Sequence, residues 1–103
     1  MTLNQLECFS VLAQRLNFTQ AADDLFMSQP ALSRTISALE GELGVRLFDR
    51  NSRSVALTPA GRAFYQESPS IMRSFRNSVN AALTAQQGYR GELFIGILRD
   101  LFD

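Results

Sequence analysis

The run Ser28-Gln29-Pro30-Ala31-Leu32-Ser33-Arg34 constrains this chain most. Serine is a favoured helix N-cap, because its hydroxyl accepts from a backbone N–H that the first turn leaves unpaired. Proline two residues later fits only in that first turn, where its missing N–H costs nothing. The segment therefore starts a helix, and starts it at one place. Its residues Leu32, Ile36, Leu39 and Leu43 recur at helical spacing and form a buried stripe. Gly44 ends the helix. The opposite face carries Pro30, Ser33, Arg34, Ser37 and Gly41. A helix that only meets water more often shows Glu and Lys there. A helix that presses into a groove needs low relief and a few hydrogen-bonding groups. A shorter helical segment, Thr19 to Phe26, comes just before it. Two short helices joined by a tight turn spell a helix-turn-helix, which points to double-stranded DNA.

The rest of the chain extends that motif. Leu6, Phe9, Ala13 and Leu16 place one stripe of a first helix, residues 3–16, on a core, with Thr2 as its cap. Asn17 is expected to end this helix and Thr19 to cap the next. Ala21 and Ala22 are small enough for another helix to cross closely, Leu25 and Phe26 supply apolar contact, and Met27 falls in the turn. The apolar runs Arg46-Leu47-Phe48 and Ser54-Val55-Ala56-Leu57 flank a polar, turn-prone stretch. They predict a two-stranded hairpin, a wing, with Arg53 near its tip. Thr58-Pro59 is a strong helix start. From there to Gln87 the pattern is helical, with Phe64, Ile71, Phe75, Ser78 and Ala82 near heptad spacing and Val79 and Leu83 beside them. Three helices already close the preceding core, so this stripe is expected to pack on a partner chain. Pro69 interrupts it and predicts one long kinked helix. Residues 86–91 read as a linker, and Leu93 to Leu98 as the first buried strand of an α/β domain.

Composition narrows the function. All ten basic residues are arginine, balanced by ten acidic ones. A zero net charge weighs against a nucleic-acid binder. The distribution offsets it: Arg34, Arg46, Arg50, Arg53 and Arg62 cluster in residues 28–62 against Glu40, Glu42 and Asp49. Arg46 and Arg50 fit a pairing with Asp49 or Glu42 as well as they fit DNA. Cys8 is the only cysteine, which excludes an internal disulfide. It reads as a structural thiol in an amphipathic helix. With one cysteine and no histidine, a zinc site and a His-based triad are excluded as well. No Gly-rich phosphate loop or paired carboxylates suggest an enzyme, and no metal or other cofactor is expected. The sequence shows no signal peptide or membrane span, so the expected location is the cytoplasm.

The combination Leu6, Phe9, Ala13, Phe18-Thr19-x-Ala21-Ala22-x-x-Leu25, Ser28-Gln29-Pro30-Ala31-Leu32-Ser33, Ile36, Leu39-Glu40, Leu43-Gly44, Leu47-Phe48-x-Arg50 and Leu57-Thr58-x-Ala60-Gly61 resembles the LysR-type transcriptional regulators over about residues 1–90. The resemblance implies a mainly α fold. It implies that residues 1–58 form a winged helix-turn-helix of three helices and a two-stranded wing. Residues 59–87 are then expected to be a long linker helix, and residues 88–103 a hinge and the first strand of a truncated effector-binding domain. It also implies a homodimer on promoter DNA, paired through Phe64, Ile71, Phe75, Ser78, Val79 and Ala82. A small-molecule inducer is expected only for the effector domain.

Roles carry over residue by residue. Gln29 fits adenine, Pro30 a thymine methyl, Ser33 a base edge or phosphate, and Arg34 guanine or a phosphate. Thr19 resembles a phosphate anchor, Arg53 a minor-groove contact, and Ser37 a weaker base-facing candidate. Gly41 and Pro69 depart from the family pattern. The competing reading is a winged helix that docks proteins and does not bind DNA; a hydrophobic outer face would favour it.

Overall fold

The structure is a computed structural model that describes residues 1–51 and 54–87. Its elements are α1 (Leu3–Arg15), α2 (Phe18–Asp24), α3 (Gln29–Leu43), β1 (Phe48–Asp49), β2 (Ala56–Leu57) and α4 (Pro59–Gln86). The chain divides into two compact units after Ser70. Ser52, Arg53, residues 88–91 of the expected linker and the expected strand at 93–98 lie outside the described residues, and Gln86, expected to begin the linker, is the last residue of α4.

Each helix begins where a side chain satisfies its first N–H groups. The Thr2 hydroxyl accepts from the Gln5 N–H at 3.1 Å, and the Gln5 side chain accepts from the Thr2 N–H at 2.8 Å. This reciprocal pair is a capping box. The end of α1 corrects two expectations. Leu16 leaves the buried stripe: it is the left-handed C-cap, φ 51°, and is exposed. Asn17 does not close α1. It opens α2, accepting from the Gln20 N–H at 2.9 Å, so Thr19 lies inside the first turn and is not the cap.

The turn between α2 and α3 exchanges two roles. Phe26, expected to give apolar contact, is 97% exposed. It sits at φ 55°, in the position after the C-cap that glycine usually fills. Its N–H reaches the Asp23 carbonyl and the Met27 N–H the Ala22 carbonyl, the two bonds of a Schellman ending. This turn carries the Met27 side chain inward, against the core, where its thioether accepts from the Cys8 thiol at 3.8 Å. Ala21 and Ala22 are buried, as a close crossing requires.

Ser28 caps α3 through the Ala31 N–H at 3.2 Å, Pro30 lies in its first turn, and Gly44 ends it at φ 74°. Leu32, Ile36 and Leu39 are fully buried. Leu43, the expected fourth member of the stripe, is 39% exposed. Glu40 is buried in its place.

The core of the first unit centres on Phe9. Its ring lies 5.5 Å from Phe48, 4.8 Å from Phe64 and 6.2 Å from Tyr65, centroid to centroid. Phe64 therefore packs inside its own domain and does not continue the exposed stripe. Three helices leave one side of Phe9 open, and the first turns of α4 close it.

The wing strands are shorter than their apolar runs suggest. They pair antiparallel as Phe48 with Leu57 and Asp49 with Ala56. Thr58 then joins wing to helix: its hydroxyl donates to the Arg46 carbonyl at 2.6 Å and accepts from the Gly61 N–H at 3.0 Å. Helix α4 continues through Pro69 to Gln86 as one element. Proline at this position frees the Tyr65 carbonyl. The buried Ser68 hydroxyl donates to that carbonyl at 3.1 Å, so the neighbouring residue repairs the gap.

Gly61 is where α4 meets the start of the wing. A Cβ there would lie 2.0 Å from the Leu47 carbonyl oxygen, which also accepts from the Thr58 N–H. Backbone cannot yield as a side-chain tip does. Gly61→Ala is expected to destabilise the domain by about 3 kcal/mol, read as a lower urea midpoint at unchanged slope. An unchanged midpoint contradicts the tight junction.

Candidate nucleic-acid interface

The N-termini of α2 and α3 and the base of the wing enclose an open groove of about 570 Å³. Thr19, Gln29, Pro30 and Ser33 line it, together with Asn17, Phe18, Arg50 and Val55. Four of the seven residues expected to meet DNA thus share one surface. Ser37 lines a separate depression of about 310 Å³ with Glu40, Gly41 and Arg46. Arg34 is exposed on α3 and makes no ion pair or hydrogen bond among the described residues.

The polar groups of the groove are arranged by bonds within the protein. The Gln29 amide donates to the Thr19 hydroxyl, which joins the first turns of α2 and α3. An amide has two N–H donors and one acceptor oxygen. Among the described residues, one N–H and the oxygen of Gln29 have no other partner, and that is the pair that matches an adenine edge.

Sequence reasoning missed Glu40 as part of this site. Its Oε2 accepts from the Leu47 N–H at 2.7 Å and the Phe48 N–H at 3.2 Å. Its Oε1 faces Arg50 Nη2 at 3.5 Å. The signal was in the helix phase: position 40 lies one residue past Leu39 and four past Ile36, at the edge of the buried stripe. A carboxylate there needs donors, and the next turn of chain supplies them. Arg50 pairs with Glu40, not with Asp49 or Glu42. Its guanidinium carbon sits 5.0 Å above the centre of the Phe18 ring, and its Nη1 donates to Ser33 Oγ at 3.3 Å.

Other acidic groups are also engaged. Asp24 holds Arg15 through two bonds, at 2.6 and 3.2 Å. Glu42 accepts from the N-terminal ammonium at 2.6 Å and from Gln5 at 3.3 Å. Those two hydrogen bonds, with the ammonium charge, hold its carboxyl below the usual range. Burial pushes the Cys8 thiol up, helped by the Glu7 charge, which keeps it neutral and structural.

Residues 3–62 match the sequence model of the bacterial regulatory helix-turn-helix proteins of the lysR family. This chain belongs to the LysR family. Among curated relatives, the HTH-type transcriptional regulator TfdS of Cupriavidus pinatubonensis is 43% identical over 98 residues, 95% of this chain and 33% of its own length. A probable RuBisCO transcriptional regulator of Thalassiosira pseudonana is 42% identical over 95 residues, 92% of this chain and 31% of its own length. The chain thus spans about a third of these relatives. Among solved structures, the BenM DNA-binding domain in complex with catB site 1 DNA superposes with a TM-score of 0.79 at 38% identity, covering 86% of this chain and 99% of that one. The CbnR DNA-binding domain in its DNA complex gives 0.79 at 36% identity, covering 84% and 99%. The relatives are regulators, not enzymes, and the LysR fold of a winged helix-turn-helix followed by a long helix is the fold found here. No helix among the described residues is long and apolar enough to cross a membrane.

Removing the Glu40 carboxylate strands two N–H groups at the root of the LysR wing. Glu40→Ala is expected to cost about 3 kcal/mol, and Glu40→Gln, which keeps one acceptor oxygen, clearly less. Equal midpoints for the two variants in urea unfolding contradict this role.

Proposed function

We propose that this chain is the DNA-reading part of a LysR-type transcriptional regulator, acting in the cytoplasm on promoter DNA as a homodimer. Helix α3 enters the major groove. Gln29 reads adenine, Pro30 meets a thymine methyl, Arg34 takes guanine or a phosphate, and Ser33 and Ser37 lie along the same face. Thr19 anchors a phosphate, and the wing brings Arg53 to the minor groove. The observation that carries this reading is the polar face of α3: Gln29, Pro30 and Ser33 share a groove with Thr19, and Arg34, next in sequence to Ser33, is exposed and unpaired among the described residues. The DNA complexes of the similar BenM and CbnR domains support it. A protein-docking winged helix would present apolar side chains on this face, and α3 presents polar ones.

The dimer rests on a second observation. Ile71, Phe75, Val79 and Leu83 are exposed large apolar residues repeating along one side of α4, with Ser78 and Ala82 small beside them. A stripe of that length is covered when two copies pair. Residues 1–58 then form the reading head, 59–87 the linker helix, and 88–103 the hinge and the start of an effector-binding domain. An inducer belongs to that domain.

Titration of labelled promoter duplexes over a salt series tests the DNA reading. The affinity is expected to fall with a log–log slope of about −0.9 per phosphate neutralised. Arg34→Ala is expected to cost about 1–3 kcal/mol and to relax preference at one base pair. A flat salt dependence contradicts the proposal. Phe75→Glu is expected to leave a monomer in sedimentation while the melting of the reading head stays the same. A dimer that survives this change places the interface elsewhere.

A further inference from the structure

We propose that Arg50 is a positioning residue that fixes Ser33 as a hydrogen-bond donor toward DNA; the inference rests on the DNA reading above. A guanidinium only donates. The contact from Arg50 Nη1 at 3.3 Å therefore occupies a lone pair of Ser33 Oγ. The Ser33 proton is left to find an acceptor elsewhere. In a helix the usual one is the carbonyl four residues back. Thr35 uses it, donating to the Ala31 carbonyl at 3.0 Å, and Ser78 does the same to Ser74 at 2.8 Å. Ser33 makes no such bond among the described residues. The neighbouring positive charge turns the O–H dipole away from Arg50, into the groove that Ser33 lines with Gln29 and Pro30. There it meets an acceptor: a phosphate oxygen or an acceptor atom on a base edge.

Arg50 is itself committed within the protein. One N–H of each terminal nitrogen goes to Ser33 and to Glu40, its guanidinium lies over the Phe18 ring, and its Nε is buried. Glu40 offsets its charge. It follows β1 directly, so this one side chain ties the base of the wing to the middle of the reading face. A lysine can hold one of these partners; it cannot hold both in a fixed fork.

The test is a double-mutant cycle on the whole chain, with a duplex taken from selection by the wild type. Ser33→Ala is expected to weaken binding roughly three- to tenfold. Arg50→Lys is expected to weaken it similarly, and the double variant to stay within about twofold of Ser33→Ala alone. Ser33→Thr, which keeps the hydroxyl, is expected to restore binding. The salt slope of Arg50→Gln is expected to equal that of the wild type. Losses that multiply in the double variant overturn the proposal. So does a salt slope that falls by about 0.9 in Arg50→Gln, the mark of a direct phosphate contact. Methylphosphonates, 7-deazapurines and base analogues lacking the guanine O6 or thymine O4, placed singly in the duplex, name the acceptor, because the Ser33→Ala penalty vanishes at that position. A penalty that persists at every position overturns the donor role. A wild type that binds no duplex overturns the DNA reading itself, and this inference with it.

Discussion

The carboxylate of Glu40 holds the chain between α3 and α4 in place. It is buried and accepts from two consecutive backbone N–H groups, those of Leu47 and Phe48. A buried charge is tolerable only when hydrogen bonds replace the water it has lost. Here they come from the segment that must leave α3 and begin the wing. With Leu47 fixed, its carbonyl accepts from Thr58 and rests against Gly61, which sets the start of α4. With Phe48 fixed, its ring reaches Phe9, where Phe64 of α4 also arrives. One side chain thus determines where the wing and the next helix stand relative to the reading face.

The same arrangement explains how a chain with no net charge presents a surface suited to DNA. Charge is a property of faces, not of totals. Asp24 is matched to Arg15, Glu42 to the N-terminal ammonium, and Glu40 is buried beside Arg50. Arg34 is left unpaired among the described residues. In the groove, Gln29, Thr19 and Ser33 are already bonded within the protein, which fixes the direction of the donors and acceptors they still offer. Such order is set before a ligand arrives, so less side-chain freedom is lost on binding.

Much of this was legible in the residues. Ser28, Pro30 and Gly44 bounded α3 because caps and first-turn proline follow local rules. Leu32, Ile36 and Leu39 gave its phase, and Thr58-Pro59 marked the start of α4. The misses fall where the residues offer competing alternatives. Asn17 and Thr19 are both good caps two residues apart, and the Gln20 N–H went to the first. Phe26 and Met27 adjoin a turn whose hydrogen bonds turn one outward and the other inward. Phe64 looked like the first member of the α4 stripe, yet the open side of Phe9 claimed it. The site was legible as a set of residues on one helix face. Its internal bonds were not, because Arg50 and Ser33 are seventeen residues apart and only the fold brings them together.

In the proposed function two copies of this chain read one site through the face that begins at Gln29. Selection of bound duplexes from random DNA tests it most directly, because one experiment returns half-site and spacing together. An interrupted palindrome is expected to be enriched, two inverted half-sites at a fixed separation. A single unpaired motif contradicts the dimer, and no enrichment at all contradicts the reading of DNA.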